Sequence, residues 1–363
     1  MATASLRLLR ECLPRSVIIA LGRKGMDDLL AGLDLVDDIL LTDKRLLLGP
    51  AKTASKIVPL RCDAALILPN SFSAAMAVRL ANVPIRVGYD RDGRGLLLTH
   101  KLTAARRPPP HDGWAVVSAV QYYRDATRLL LATLAKAGHV LAIDPNAFKP
   151  VLELGVTESQ DREALSILQR AGIKVMRDAG PAGTDRAEPF CVLNPGGNNT
   201  AKRWPIERFA ALAHHLIERH HTKLAINGSP AEAEMVNLIK QAIVLNHPED
   251  ETMVASLPDL GGSIASLKGI VKRAALMVTN DTGPRHVAAA FNVPCVSLFG
   301  PTDPRWTTLP EADDRAREQI LVADPTLPES ELADDHPQRC RIDRISLDEV
   351  IAAVDRALGD RIQ

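Results

Sequence analysis

The chain has 363 residues, enough for two domains at roughly 100 to 200 residues each. Its 44 basic residues balance 44 acidic ones and 46% of the chain is hydrophobic, which excludes a polyanion-binding or disordered protein and removes nucleic acid as a partner. No apolar run nears the roughly 18 residues that span a bilayer, and the start lacks the pattern of a signal peptide, so a cytoplasmic protein is expected.

In chain order, Ala4 to Leu13 places Leu6, Leu9 and Leu13 on a helical stripe that Thr3 or Ser5 would cap and Pro14 closes. Strands are expected at Val17 to Leu21, Asp38 to Leu41, Ala64 to Leu68 and Ile85 to Gly88, with helices between them. A long helix from about Trp114 to Ala137 and another from about Glu158 to Arg170 follow. Arg177 to Pro189, RDAGPAGTDRAEP, has the content of a linker. The second half restarts the alternation: FCVLN (190 to 194), a helix after Pro205, KLAIN (223 to 227), helices after Pro230 and near Ile264 to Lys272, ALMVTN (275 to 280), a helix after Pro284 and PCVSLFG (294 to 300). Ser346 to Leu358 closes the chain as an amphipathic helix.

Two strand-helix series separated by a linker predict an α/β fold of two facing, doubly wound, Rossmann-like domains, 1–180 and 181–345. The last helix, within 346–363, is expected to pack across their junction. The five cysteines are widely spaced and two lie in strand-like runs, which suits reduced, buried thiols. His214, His215, His220 and His221 fall at a helix end, where histidines suit the helix dipole, and are not read as a metal site.

Three loops that follow strands carry the chemistry. After the strand ending at Thr279, residues Asn280 to Gly283 make a polar turn, and Pro284 sits where a first helical residue belongs. Such a turn aims free N–H groups at the crevice beyond the strands, where phosphate binds. Arg285 or His286 could add charge or a donor, but only one of two adjacent residues readily faces the crevice. An ordinary helix capped by Asp281 or Thr282 is the other reading. After the strand ending at Asn194, a loop with Gly196, Gly197, Asn198, Asn199 and Thr200 leads through Lys202 and Arg203 to a helix after Pro205. Small residues let backbone approach a ligand and a lysine can neutralise phosphate; a plain loop with a solvated lysine fits equally. In NGSPAEAE, Glu232 could hold a ribose diol or serve as a first-turn glutamate. Taken together, the three loops suit a nucleotide diphosphate.

These residues carry a resemblance. NDTGPRHVAAAFNVP followed by LFGPTDP, PGG with KRWP after it, and VPIRVGYD with LLLTHKL in the first half resemble the heptosyltransferases of glycosyltransferase family nine. The resemblance implies a GT-B fold and inverting transfer of heptose from ADP-heptose, bound by the C-terminal domain, to an inner-core lipopolysaccharide acceptor bound by the N-terminal one. It implies no metal and no cofactor, the ADP-sugar being a substrate. By motif, Lys202 would hold the donor phosphates, with Asn199 and Thr200 beside it. Asp281, Thr282, Gly283 and His286 would surround the pyrophosphate, and Glu232 would meet the ribose. A lysine and helix N–H groups can stabilise departing ADP without magnesium. Asp90-Arg91-Asp92 matches a metal-binding DxD, a triplet that chance supplies in a chain with 44 acidic residues.

On the acceptor side, Arg86, Arg91, Arg94, Lys101, Arg106 and Arg107 face two acids in and beside a Pro-rich loop. Arg106 and Arg107 are the candidates for an anionic glycolipid headgroup, with peripheral approach to the inner membrane; a solvated loop is the alternative. The family resemblance also implies an apolar strand and a Gly-Asp loop ahead of a helix like Ala2 to Leu13, that aspartate serving as the general base. The strand is expected to be missing here because of a start placed too late, and no catalytic base is assigned. A catalytically silent nucleotide-sugar-binding protein and a GT-B transferase using another nucleotide sugar are the alternatives.

Overall fold

The structure, a computed structural model, describes residues 1–42, 49–176, 186–197, 199–310 and 318–359. The chain divides into two units, Met1–Leu152 with Arg305–Pro310, and Glu153–Pro304 with Glu311–Gln363.

The first unit runs α1 (Thr3–Cys12), β1 (Ile19–Gly22), α2 (Met26–Leu30), β2 (Asp38–Leu41), α3 (Gly49–Ile57), β3 (Ala64–Ile67), α4 (Phe72–Leu80), β4 (Ile85–Tyr89), β5 (His100–Leu102) and α5 (Ala119–Lys136). The cap of α1 is Ala2, with no side-chain bond; Thr3 and Ser5 lie buried in the first turn instead of capping it. Leu8, Leu9 and Cys12 turn inward onto Leu130, Leu131 and Leu134 of α5. β1 pairs with β2, and β3, β4 and β5 form a second parallel sheet. Among the described residues no strand joins the two sheets, although Ile18, Ala64 and Leu66 pack against the same apolar cluster. The long helix begins five residues later than expected. Ser118 caps α5 by accepting the Gln121 N–H, which leaves Trp114 outside it, bridged to Arg106.

The second unit runs α6 (Glu158–Arg170), β6 (Val175–Met176), β7 (Arg186–Ala187), β8 (Phe190–Asn194), α7 (Ile206–His220), β9 (Lys223–Ile226), α8 (Ala233–Asn246), β10 (Val254–Ser256), α9 (Ile264–Arg273), β11 (Leu276–Asn280), α10 (Gly283–Ala290), β12 (Cys295–Phe299), β13 (Glu318–Val322) and α11 (Leu347–Gly359). Six parallel strands lie in the order β10-β9-β8-β11-β12-β13. β8, β11 and β12 are buried throughout, as their unbroken apolar runs require when helices cover both faces. Phe209 and Leu216 of α7, Ile239 of α8 and Val350 and Val354 of α11 fill one face; Ile167 of α6, Ile270 of α9 and Ala288 of α10 fill the other. The chain moves outward from β8 to β10 and then returns beside β8 as β11. That reversal opens a crevice at the C-terminal ends of β8 and β11.

Two expected boundaries differ. The units part at Leu152, not at residue 180, because α6 belongs to the second unit: Arg273 of α9 grips Asp161 with two bonds of 2.7 and 2.9 Å, and a Cβ on Gly269 would come within 2.6 Å of the Ala164 Cβ. Residues 177–185 of the expected linker lie outside the described residues, and Arg186–Ala187 form β7. The final helix, expected across the junction, packs its Val350, Val354 and Leu358 into the second unit's own core. Among the described residues no helix is long and apolar enough to cross a membrane.

Candidate functional site at the strand ends

Three strands of the second unit run into an asparagine: Asn194 ends β8, Asn227 follows β9 and Asn280 ends β11. Parallel pairing brings these amides together. Asn227 Nδ2 donates to Asn194 Oδ1 (2.7 Å), while Asn194 Nδ2 donates to Thr279 Oγ1 (2.9 Å) and Thr282 Oγ1 (2.8 Å). Asn280 Nδ2 donates to the carbonyls of Pro195 (2.7 Å) and Gly196 (3.3 Å), tying the loop after β8 to the end of β11. Buried amides pay for their desolvation only when bonded, so this network fixes both sides of the crevice. The sequence reading placed Asn194, Asn227 and Asn280 at these strand ends but gave their amides no shared role. The signal was the same residue closing three apolar runs.

On this floor the expected residues assemble. Lys202 Nζ, in the short turn Thr200–Lys202, lies 3.0 Å from Asp281 Oδ2 across the crevice. Thr282 precedes α10 without capping it, because its hydroxyl is engaged with Asn194 and the Asn280 carbonyl. No protein acceptor among the described residues takes the N–H of Thr282 or Gly283. Gly283 is exposed, and a Cβ there would meet nothing within 4 Å. Open space in front of free amides at a helix start suits an anion. Asn199 accepts the Ala201 N–H and, like Thr200, is exposed; Asn198 lies outside the described residues.

The adjacent pair Arg285 and His286 divides as helix geometry demands. Arg285 is fully buried, holds Glu318 of β13 by two bonds (2.5 and 2.8 Å) and lies 4.9 Å over Phe299, so it braces the sheet. His286 takes the other direction. Its Nδ1 is buried without a hydrogen-bond partner, and burial, with the Arg285 charge adding, lowers its pKa to about 3, which keeps the ring neutral.

Glu232 links two loops. Its Oε1 accepts the Gly197 N–H (2.9 Å) and its Oε2 accepts the Ser229 N–H (2.8 Å) and hydroxyl (2.7 Å). Partial burial opposes the charge, but these donors and Arg203 prevail and hold the carboxyl below its ordinary range. Gly196 leaves room for it: a Cβ there would stand 2.4 Å from Glu232 Oε1, so the carboxylate would have to shift from its bonds.

The histidines lie elsewhere. α7 starts at the ligand end of the sheet, so its C-terminal half reaches the opposite edge. There His215 and His220 both meet Asp355 Oδ1 (2.8 and 2.7 Å), while His214 meets Asp250 (2.8 Å) and stacks on His247. All five cysteines are free, and burial pushes Cys191 and Cys295 up to about 12.

In the first unit the basic stretch divides. Arg86 and Arg94 are internal braces bonded to backbone carbonyls, Arg94 also holding Asn70 Oδ1. Lys101 pairs with Asp90 at 2.7 Å, which engages the first carboxylate of the DxD triplet with a cation. Arg91 and Arg106 instead lie 4.3 and 3.8 Å from the centre of the Trp114 ring. Beside Trp114 and Arg91 is a cavity of about 360 Å³. Arg107 is half-buried and does not line it.

Comparison with known proteins gives the family and the fold. Residues 53–332 match glycosyltransferase family 9 (heptosyltransferase). The chain is 28% identical over 270 residues to lipooligosaccharide heptosyltransferase 2 of Haemophilus influenzae, covering 74% of this chain and 68% of that one. It is 28% identical over 267 residues to lipopolysaccharide heptosyltransferase 2 of Escherichia coli K12, covering 72% and 66%. These matches span about two thirds of the length of either relative. Among solved structures, ADP-heptose lps heptosyltransferase II of E. coli superposes with a TM-score of 0.72 at 21% identity, covering 100% of this chain and 95% of that one. A family 9 glycosyl transferase from Veillonella parvula superposes with the same score and identity, covering 99% and 92%. The fold is therefore GT-B, with two Rossmann-like units.

Proposed function

Since the chain belongs to glycosyltransferase family 9, we propose that it transfers heptose from ADP-heptose to an inner-core lipopolysaccharide acceptor, without metal and with inversion at the sugar carbon. The observation that carries the donor side is the crevice itself. The free amides at the start of α10 directly follow Asp281, whose carboxylate the Lys202 ammonium meets at 3.0 Å at the β8/β11 reversal. ADP leaving from a sugar carbon gathers negative charge on its phosphates, and donors already in place stabilise that charge with little reorganisation.

Each residue has a role in this reading. Lys202 exchanges its bond to Asp281 for one to a phosphate oxygen. The N–H groups of Thr282 and Gly283 hold the pyrophosphate, Gly283 allowing close approach, and neutral His286 offers a ring nitrogen near the donor sugar. Glu232, already bonded to Gly197 and Ser229, keeps one side of the loop rigid and presents its remaining acceptor capacity to the ribose. The catalytic base stays unassigned. The acceptor is an anionic glycolipid, and the protein reaches it by peripheral contact with the inner membrane from the cytoplasm.

Titration of the full chain with ADP, UDP and GDP in the presence of chelator tests the donor side. ADP binding at least tenfold tighter than UDP or GDP, unchanged by chelator, is expected. Preference for UDP or GDP, or loss of binding with chelator, would overturn it.

A further inference from the structure

Toward the end of α7 away from the crevice, the fold brings together side chains that the sequence keeps apart. His215 and His220 sit on α7, and Asp355, 140 and 135 positions further on, sits on α11. Both imidazoles turn Nε2 onto the same carboxylate oxygen, Asp355 Oδ1, at 2.8 and 2.7 Å, and the rings meet edge to face with centroids 5.8 Å apart. All three groups offer a donor atom within 4.8 Å of the others. The helix dipole accounts for histidines near the end of α7. It does not account for two of them aiming one nitrogen each at a single oxygen of another helix.

The donor set has the chemistry of a metal site. Two imidazoles and a carboxylate are ligands that zinc takes at about 2.0–2.2 Å each, with the ligand atoms then about 3.4 Å apart and a fourth position left to water. Opening the present contacts by roughly half an ångström reaches that spacing. The groups have this freedom, since the Asp355 side chain is 41% exposed and His220 is the final residue of α7. Among the described residues nothing bonds Nδ1 of either ring or Oδ2 of Asp355. Each neutral ring can therefore carry its proton on Nδ1 and turn the Nε2 lone pair to an ion. Both rings are partly exposed, which gives the ion a way in. The neighbouring histidines are less suited. His214 already directs Nδ1 to Asp250 (2.8 Å) and Nε2 to Glu218 (3.4 Å), and its ring lies 9° from parallel with His247, so the two planes do not converge on one point.

We propose that His215, His220 and Asp355 bind one zinc ion, which clamps α11 to the end of α7. Val350, Val354 and Leu358 of α11 belong to the core of the second unit, so the clamp stabilises that core from its edge. The site goes beyond the transferase reading and takes no part in the transfer, because much of the length of α7 separates it from the crevice.

The test is calorimetry and thermal melting of the full chain, stripped with chelator and then titrated with zinc or magnesium. The wild type is expected to bind one zinc ion at this site with a micromolar Kd or tighter, to ignore magnesium, and to melt about 5 °C higher with zinc at a hundredfold excess over Kd. Asp355→Asn keeps an oxygen that both rings can bond, so without zinc it should melt within about 3 °C of wild type, yet it should bind zinc at least tenfold more weakly. His220→Gln should also weaken zinc at least tenfold, whereas His247→Gln should stay within twofold. No zinc binding by the wild type, zinc affinity unchanged in both Asp355→Asn and His220→Gln, or an equal loss in His247→Gln would each overturn the site. ADP affinity should agree within twofold with and without zinc; an ADP affinity that depended on zinc would contradict a clamp remote from the crevice. If the chain binds no ADP yet Asp355→Asn loses zinc, the transferase reading fails and the clamp stands.

Discussion

Lys202 and Asp281, 79 positions apart in the chain, meet at 3.0 Å across the reversal point of the second sheet, the lysine partly exposed and the aspartate nearly buried. The pair joins the loop after β8 to the turn after β11. Lys202→Ala should raise the ADP-heptose Kd ten- to a hundredfold, the loss of about 1.5–3 kcal/mol expected for a charge-assisted bond. Because the substitution leaves the nearly buried Asp281 without this cation, unfolding stability should also fall by about 1–3 kcal/mol. Calorimetry and denaturant melts measure the two effects, and an unchanged Kd would remove Lys202 from the phosphate site.

Gly283 and Gly196 should respond differently to alanine. A methyl at Gly283 meets nothing within 4 Å, so Gly283→Ala should leave stability within about 0.5 kcal/mol while weakening ADP-heptose at least tenfold. A methyl at Gly196 drives into the Glu232 carboxylate, so Gly196→Ala should cost about 1–3 kcal/mol of stability as well as affinity. Equal affinity in wild type and Gly283→Ala would show that the donor does not lie against this turn.

Arg285 is expected to matter for folding and not for chemistry. Arg285→Met leaves Glu318 without its bidentate partner inside the sheet and should cost about 3–5 kcal/mol. Donor affinity of the folded fraction should change little. A variant as stable as wild type would contradict the bracing role.

Glu232 gives a pH test with a definite sign. Its folded pKa is depressed below 4.5, so the stability that its ionised form contributes is fully present above about pH 4.5 and is lost as pH falls through the lower, folded value. Glu232→Gln removes one acceptor from the Gly197 and Ser229 donors and should cost about 1–2 kcal/mol at pH 7. The gap between wild type and variant, followed by denaturant melts, should hold from pH 7 to about pH 5 and narrow below pH 4. A gap that widened on acidification would mean the carboxyl is raised instead.

Much of the second unit was legible because parallel strands covered on both faces read as unbroken apolar runs, and FCVLN, ALMVTN and PCVSLFG each mark a buried strand. The loops after them stood out as candidates because Gly, Thr and Lys gather there at the ends of buried strands, although plain loops carry such residues as well. Other features depend on partners distant in sequence. Nothing near Asp161 announces Arg273, 112 residues away, so the affiliation of α6 and the unit boundary were misplaced. Ser118 outcompetes the residues before it as a cap, which local periodicity around Trp114 did not convey. Glu232 reads as a first-turn glutamate until the fold sets Gly197 beside it. The cavity of the first unit was invisible because its aromatic residues come from four separate stretches of chain.

The most direct measurement is mass spectrometry of a deacylated inner-core acceptor after incubation with the full chain and ADP-heptose in chelator, with nuclear magnetic resonance of the new linkage. The account predicts a mass gain of one heptosyl residue, released ADP in equal amount, an inverted anomeric centre and loss of turnover in Lys202→Ala. ADP-heptose bound tightly with no mass gain in the acceptor would contradict the transferase reading and leave a nucleotide-sugar-binding protein.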